Sequence, residues 1–238
     1  MPSLQYHVVV IAIFTLLAVE VLCEEAKFPG NHPYDKMCGY NTEMNDELRS
    51  QLALGKVRNV NGPLSAASNM IKLEWDCCLE RNATEYVRTC PREGSKENQR
   101  DPRVGELYAR VSVSAVLAGD FKAAALIAVK SWWKVARDVP EKECIEKDAK
   151  FQKNFVGKKI ESFTQMAWAK TTKLGCAVGR CKFGKNEDYV VVCRYFPKGN
   201  KENEYVYRVG RACSPCPNGY ACTTSFDCDQ QNCQGLCI

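Results

Sequence analysis

Histidine is almost missing from this chain: there are two in 238 residues, His7 and His32. Both lie in the first 32 positions, so a metal centre built on two imidazoles would have to be assembled outside the bulk of the chain. The same shortage removes the usual base for a serine or cysteine nucleophile. Acidic residues are plentiful, but no spacing among them singles out a glycosidase-type carboxylate pair. The longest apolar run, Val8 to Leu22, contains Glu20 and is too short to cross a bilayer comfortably. Net charge is only +5, which gives no footing for a nucleic-acid partner. No internal repeat is present.

What the chain does have points to export. The apolar run reads as a secretory signal at 1–23, cut after Cys23, although no Lys or Arg precedes residue 24. Losing it takes one of 15 cysteines and leaves an even number, the mark of a disulfide framework in an oxidising compartment. Zinc at Cys213-x-x-Cys216 is the competing use. The sequon Asn82-Ala83-Thr84 suits the same compartment and marks Asn82 as a glycan acceptor. Lysines crowd Lys142 to Lys159, but Glu141, Glu143, Glu146 and Asp148 interrupt them, so the run reads as a solvated face.

Local patterns place the main elements. Residues 24–40 read as a Pro/Gly-containing extension. Met44, Leu48 and Leu52 mark one face of a helix stopped by Gly55. Residues 55–64 read as a loop. Asp76 caps a second helix, with Leu79, Ala83, Tyr86, Val87 and Cys90 inward and Asn82 to one side. A third helix starts at Asp120, with Phe121, Ala124, Ala125, Ala128, Trp132 and Ala136 recurring at helical spacing. Its small side chains suit close packing; a groove for an acyl chain is the alternative. Strands are expected over Leu107–Val113, Tyr189–Phe196 and Glu204–Val209. From Cys213 onward no apolar period remains, so residues 213–238 read as a tail held by disulfides instead of burial.

Two blocks carry a resemblance. Phe163-Thr164-Gln165-Met166-Ala167-Trp168 and Cys193-Arg194-Tyr195-Phe196-Pro197-Lys198-Gly199-Asn200 resemble the signatures of the CAP superfamily, the secreted cysteine-rich, antigen 5 and pathogenesis-related proteins. Leu48-Arg49-Ser50-Gln51-Leu52-Ala53-Leu54-Gly55, Ala66-Ala67-Ser68-Asn69-Met70 and the cysteine-rich end are similar to the nematode activation-associated secreted, or venom allergen-like, branch. The resemblance implies an α+β fold over residues 41–212, an α-β-α sandwich around a central antiparallel sheet, with a small disulfide-rich hinge at 213–238. It also implies the pairs Cys176–Cys193 and Cys90–Cys181, leaving Cys38, Cys77, Cys78 and Cys144 to pair with one another.

The family's divalent-cation site corresponds here to Gly94, Glu106, Val135 and Ser162, so one ligand-type residue of the set survives. No cofactor and no enzymatic activity are therefore expected. What the resemblance does imply is binding of a sterol or a fatty acid, and modulation of a host. The sterol would sit at the loop bounded by Cys176 and Cys193, where Cys181, Phe183 and Tyr189 lie; the fatty acid would sit between helices. The alternative is a lipid-independent protein-binding module, a receptor antagonist or inhibitor, with residues 213–238 as the contact surface.

Overall fold

The computed structural model describes residues 42–139, 145, 147–223 and 234–238. The expected leader and extension, His32, Cys38 and Cys144 lie outside these residues. The described residues all fall in one compact unit.

Helix α1, Glu43–Ala53, opens on two acids that favour its positive N-terminal end, Glu43 and Asp46, and gives way at Gly55, whose φ of +69° is the left-handed stop expected there. A short ribbon follows, β1 (Arg58–Asn59) against β2 (Gly62–Pro63), where a loop is expected. After β3 (Glu74–Trp75) comes α2, Cys77–Arg88, capped by the Asp76 carboxylate, which accepts from the N–H groups of Cys78 and Leu79. Next are β4 (Gly105–Ser112) and α3 (Phe121–Asp138), the latter capped by Asp120 accepting from Ala123 N–H. The chain closes with α4 (Ile160–Met166) and the hairpin β5 (Lys173–Phe183) to β6 (Asn186–Phe196).

The strands line up in the order β3-β5-β6-β4, antiparallel except for the two-residue β3, which runs parallel to β5. Alternation along β6 then sorts side chains between two layers. Val190 and Val192 face α2, packing with Ala83, Val87 and Ala177. Tyr189, Val191, Cys193 and Tyr195 face the larger core with Leu52, Ala128, Trp132 and Phe163, from α1, α3 and α4. Helices thus cover both faces of the sheet.

Two expectations need correction. Glu204–Val209 is not a strand; only isolated bridges occur there, Tyr205 to Lys150 and Val209 to Ala67. Its backbone bonds go to several segments: Val206 N–H to Ala149 O, Ala169 N–H to Val206 O and Ser68 N–H to Arg208 O. No single neighbour runs beside it far enough to form a ladder. The tail, likewise, is not held by disulfides alone. Leu236 and Cys237 are fully buried, Cys237 N–H bonds Met70 O, and Ser50 Oγ donates to Gln234 O at 2.6 Å. Burial therefore fixes residues 234–238 to the body, and no boundary between compact units falls at 212/213.

Candidate functional site

The two signature blocks are neighbours, and their contacts are structural. Gln165 Oε1 accepts from Gly199 N–H at 2.9 Å, and a Cβ on Gly105 would lie 2.2 Å from that same oxygen. A Cβ on Gly199 would lie 2.8 Å from the Trp168 ring. Thr164 Oγ1 donates to Asn200 Oδ1 at 2.6 Å, and Asn200 Nδ2 donates to Glu161 O at 2.9 Å. The glycines are thus places where two segments approach too closely for a side chain.

Beside this junction a cavity of about 730 Å³ opens at the edge of β4, walled by Glu106, Trp132, Val135, Glu161, Ser162 and Lys198 among others. Three of the four degenerate positions line it, and the fourth, Gly94, is adjacent: a Cβ there would sit 3.3 Å from Glu106 Oε1. The fold gathers these positions, but the chemistry at them does not suit a metal. Val135 offers no donor. Ser162 Oγ is bonded to Trp132 O at 3.1 Å and Lys159 O at 3.0 Å. Glu106 is paired with Arg194 at 3.0 Å, and both side chains are buried. With no histidine among the described residues, the donor set fits neither zinc nor a nucleophile–base pair. Glu161 also lines the cavity, as do Glu97 and Glu202, and its carboxyl is pushed up by burial.

The hairpin places the expected lipid-loop residues differently from a displayed loop. Cys176 and Cys193 stand directly opposite each other on β5 and β6 and are bonded; Cys181 is bonded to Cys90 at the end of α2. Tyr189 is fully buried, edge-on to Phe121 at 5.3 Å, with its hydroxyl accepting from Gly119 N–H at 2.9 Å. Phe183 is also buried, under the guanidinium of Arg110 at 4.0 Å from its ring centroid. Period-two alternation sends the two aromatics into opposite layers, and both are buried there. Asn82 is exposed on α2. Cys77 and Cys78 are both disulfide-bonded. In the tail the sulfurs of Cys213, Cys216 and Cys237 cluster within 4.8 Å, but as the cystines Cys213–Cys222 and Cys216–Cys237, which leaves no thiolate for zinc.

A second, smaller concavity of about 370 Å³ lies between α1, β1 and α3. Leu48, Val57, Trp133 and Ala136 give it an apolar floor; Lys56, Arg58, Lys130, Lys134 and Arg137 give it a cationic rim, and no acidic residue lines it. Helical spacing puts Lys130, Lys134 and Arg137 on one edge of α3. The sequence pattern emphasised the alanine face of α3, but Ala124 and Ala128 are sealed in the core. The groove sits instead at the helix's C-terminal half, and the charge period there was its only sequence signal.

Comparison with known proteins agrees with this architecture. Residues 42–195 match the family model described as "Cysteine-rich secretory protein family". The chain is 30% identical to "Ancylostoma secreted protein" of Ancylostoma caninum over 90% of this chain and 50% of that protein, and 32% identical to "Venom allergen 5" of Vespula vidua over 69% and 76%. It spans about half the length of the first of these. Among solved structures, NaASP2 with Zn2+ superposes with a TM-score of 0.66 at 32% identity, over 82% of this chain and 92% of that one. BmVAL-1 gives 0.66 at 30% identity, over 82% and 90%. The interlocked signature blocks, the two-faced sheet and these matches agree: the chain belongs to the cysteine-rich secretory, or CAP, protein family.

Proposed function

We propose that this chain is a secreted, non-enzymatic, host-directed protein that carries a fatty acid in the groove between α1 and α3. The observation behind this reading is the pairing of an apolar floor with five cationic side chains and no lining acid. Such a surface suits an amphiphile whose tail lies on Leu48, Val57 and Trp133 while its carboxylate meets the rim. Burying the tail contributes ~25 cal/mol per Å², and the rim adds an attraction that salt weakens. Export is supported by the disulfides and by the printed name of the Ancylostoma relative. The degenerate cleft supports a role without catalysis.

Radiolabelled long-chain fatty acid should bind saturably, and less tightly as salt rises. The variant Lys130→Glu/Lys134→Glu/Arg137→Glu should weaken binding at least about tenfold, or ~1.4 kcal/mol. Unaltered affinity in that variant would remove the groove from consideration, and saturable uptake of cholesterol in place of fatty acid would favour a sterol carrier.

The reading as a protein-binding module has its own support. The solved Hookworm Platelet Inhibitor superposes at a TM-score of 0.53 and 26% identity, and Val209, Tyr220 and Ile238 are exposed apolar residues in or near the tail. Removing residues 213–238 is not a clean test, because Leu236 belongs to the core. Val209→Ser and Tyr220→Ser, at exposed positions, should leave the fold intact; if they abolish a host-protein contact while fatty acid still binds, the tail surface is the module.

A further inference from the structure

Glu106, the one acid left at the degenerate positions, has every donor it needs from the chain itself. Arg194 stands directly opposite it across the β4–β6 pairing, with Nη2 3.0 Å from Oε2; the two side chains are 7% and 3% exposed. Ser95 adds its N–H to Oε1 at 2.6 Å and its hydroxyl to Oε2 at 2.8 Å. Arg100 grips Ser95 in turn, Nη1 donating to both the carbonyl and the hydroxyl oxygen, while its Nε reaches Val104 O at 3.2 Å. Two tyrosines fasten the start of the same segment: Tyr108 to Pro91 O at 2.8 Å and Tyr86 to Glu93 O at 3.0 Å. The Arg194 guanidinium lies 5.9 Å from the Tyr86 ring centroid.

We infer that Arg194 is the built-in counter-charge of Glu106 behind the cleft wall: its guanidinium compensates the carboxylate and, by way of Glu106 and Ser95, anchors residues 91–100 to the sheet edge, so that no divalent ion is required there. The physical reason is the asymmetry of buried charge. Taking away only the arginine strands a carboxylate in a site that solvent barely reaches, whereas neutralising both partners removes the penalty along with the attraction. Arg194 is thus a positioning residue, and the inference is independent of which ligand the groove takes.

Thermal unfolding of the full chain and three variants tests it, each measured with EDTA, with millimolar Zn2+ and with millimolar Mn2+. Arg194→Gln should lower the melting temperature by about 10 °C and speed hydrogen exchange in residues 91–100. Arg194→Gln/Glu106→Gln should melt higher than Arg194→Gln alone, and chelator or metal should leave the parent chain unmoved. If Arg194→Gln does not fold, Arg194→Lys replaces it: adding Glu106→Gln to that variant must lower stability. A double variant no better than Arg194→Gln, or a saturable rise of the parent's melting temperature with Zn2+ or Mn2+, would overturn the inference.

Discussion

Replacing Arg49 with methionine should cost this protein more than any surface change, lowering its melting temperature by at least about 10 °C. Arg49 is 1% exposed, yet it sits on α1 with its whole guanidinium engaged. Nη1 donates to Met166 O at 2.8 Å and Trp168 O at 2.9 Å. Nη2 donates to Ile71 O at 2.7 Å and Thr171 O at 3.2 Å, and Nε to Ile71 O at 3.2 Å. Met166 O and Trp168 O lie at the end of α4, Thr171 O just before β5 and Ile71 O just before β3, so one side chain fixes where α1, the first signature block and the approaches to β3 and β5 meet. Methionine fills much of the volume but donates nothing, and each buried carbonyl left unpaired costs ~1–3 kcal/mol. Asp46 would also lose its nearest positive charge; its carboxyl is already pushed up by burial, although it accepts from Leu73 N–H at 2.9 Å. Burial draws the Arg49 guanidinium down to about 10, which leaves it charged at neutral pH. Arg49→Lys should fall in between, since an ammonium has three donors where the guanidinium has five. Lys122→Met, on the exposed side of α3, serves as the control and should change little. A melting temperature for Arg49→Met close to that of Lys122→Met would contradict this assignment.

Gly175→Ala should also be damaging, through a clash instead of a lost charge. A Cβ at position 175 would lie 2.2 Å from Glu80 N and 2.7 Å from both Asp76 O and the Leu79 carbonyl carbon. All three are backbone atoms in the cap and first turn of α2, so no side chain can rotate away. The helix must lift from the sheet, and overpacking of this kind costs ~1–3 kcal/mol or more. The expected result is a melting temperature lower by about 5 °C, with faster hydrogen exchange concentrated in α2. Gly184→Ala at the hairpin tip is the comparison: φ there is +70°, but nothing lies within 4 Å of the added carbon, so it pays strain without a clash. Equal losses at the two glycines would show that α2 does not depend on the close approach.

The same glycine explains what the sequence hid. Periodicity and caps identified the three long helices among the described residues because Asp76, Asp120 and Gly55 act locally, through bonds or dihedral angles that a short window contains. β6 was legible because Tyr189 to Phe196 is β-branched and aromatic. Its partner β5 was not placed by local pattern: Gly175 sits within it to admit a helix from another part of the chain. The supposed display of Phe183 and Tyr189 failed for a related reason, since a cystine across a hairpin was read as one that closes a loop. At the cleft, the expectation that Gly94, Val135 and Ser162 stand where the family places ligands came from the resemblance and not from any local pattern. That Arg194 pairs with Glu106 was not, because the pairing depends on β4–β6 register. The cationic groove joins Lys56 and Arg58 to the C-terminal half of α3, a proximity that no local pattern encodes.

The proposed fatty-acid site is the α1–α3 groove, not the cleft or the hairpin. Photolabelling with a diazirine-bearing fatty acid, followed by peptide mapping, tests it most directly. Adducts should fall within residues 48–58 and 130–137 and be competed away by excess unlabelled fatty acid. Competable adducts on the cleft segment 156–165 or on the hairpin 176–193, with the groove peptides unmodified, would contradict it.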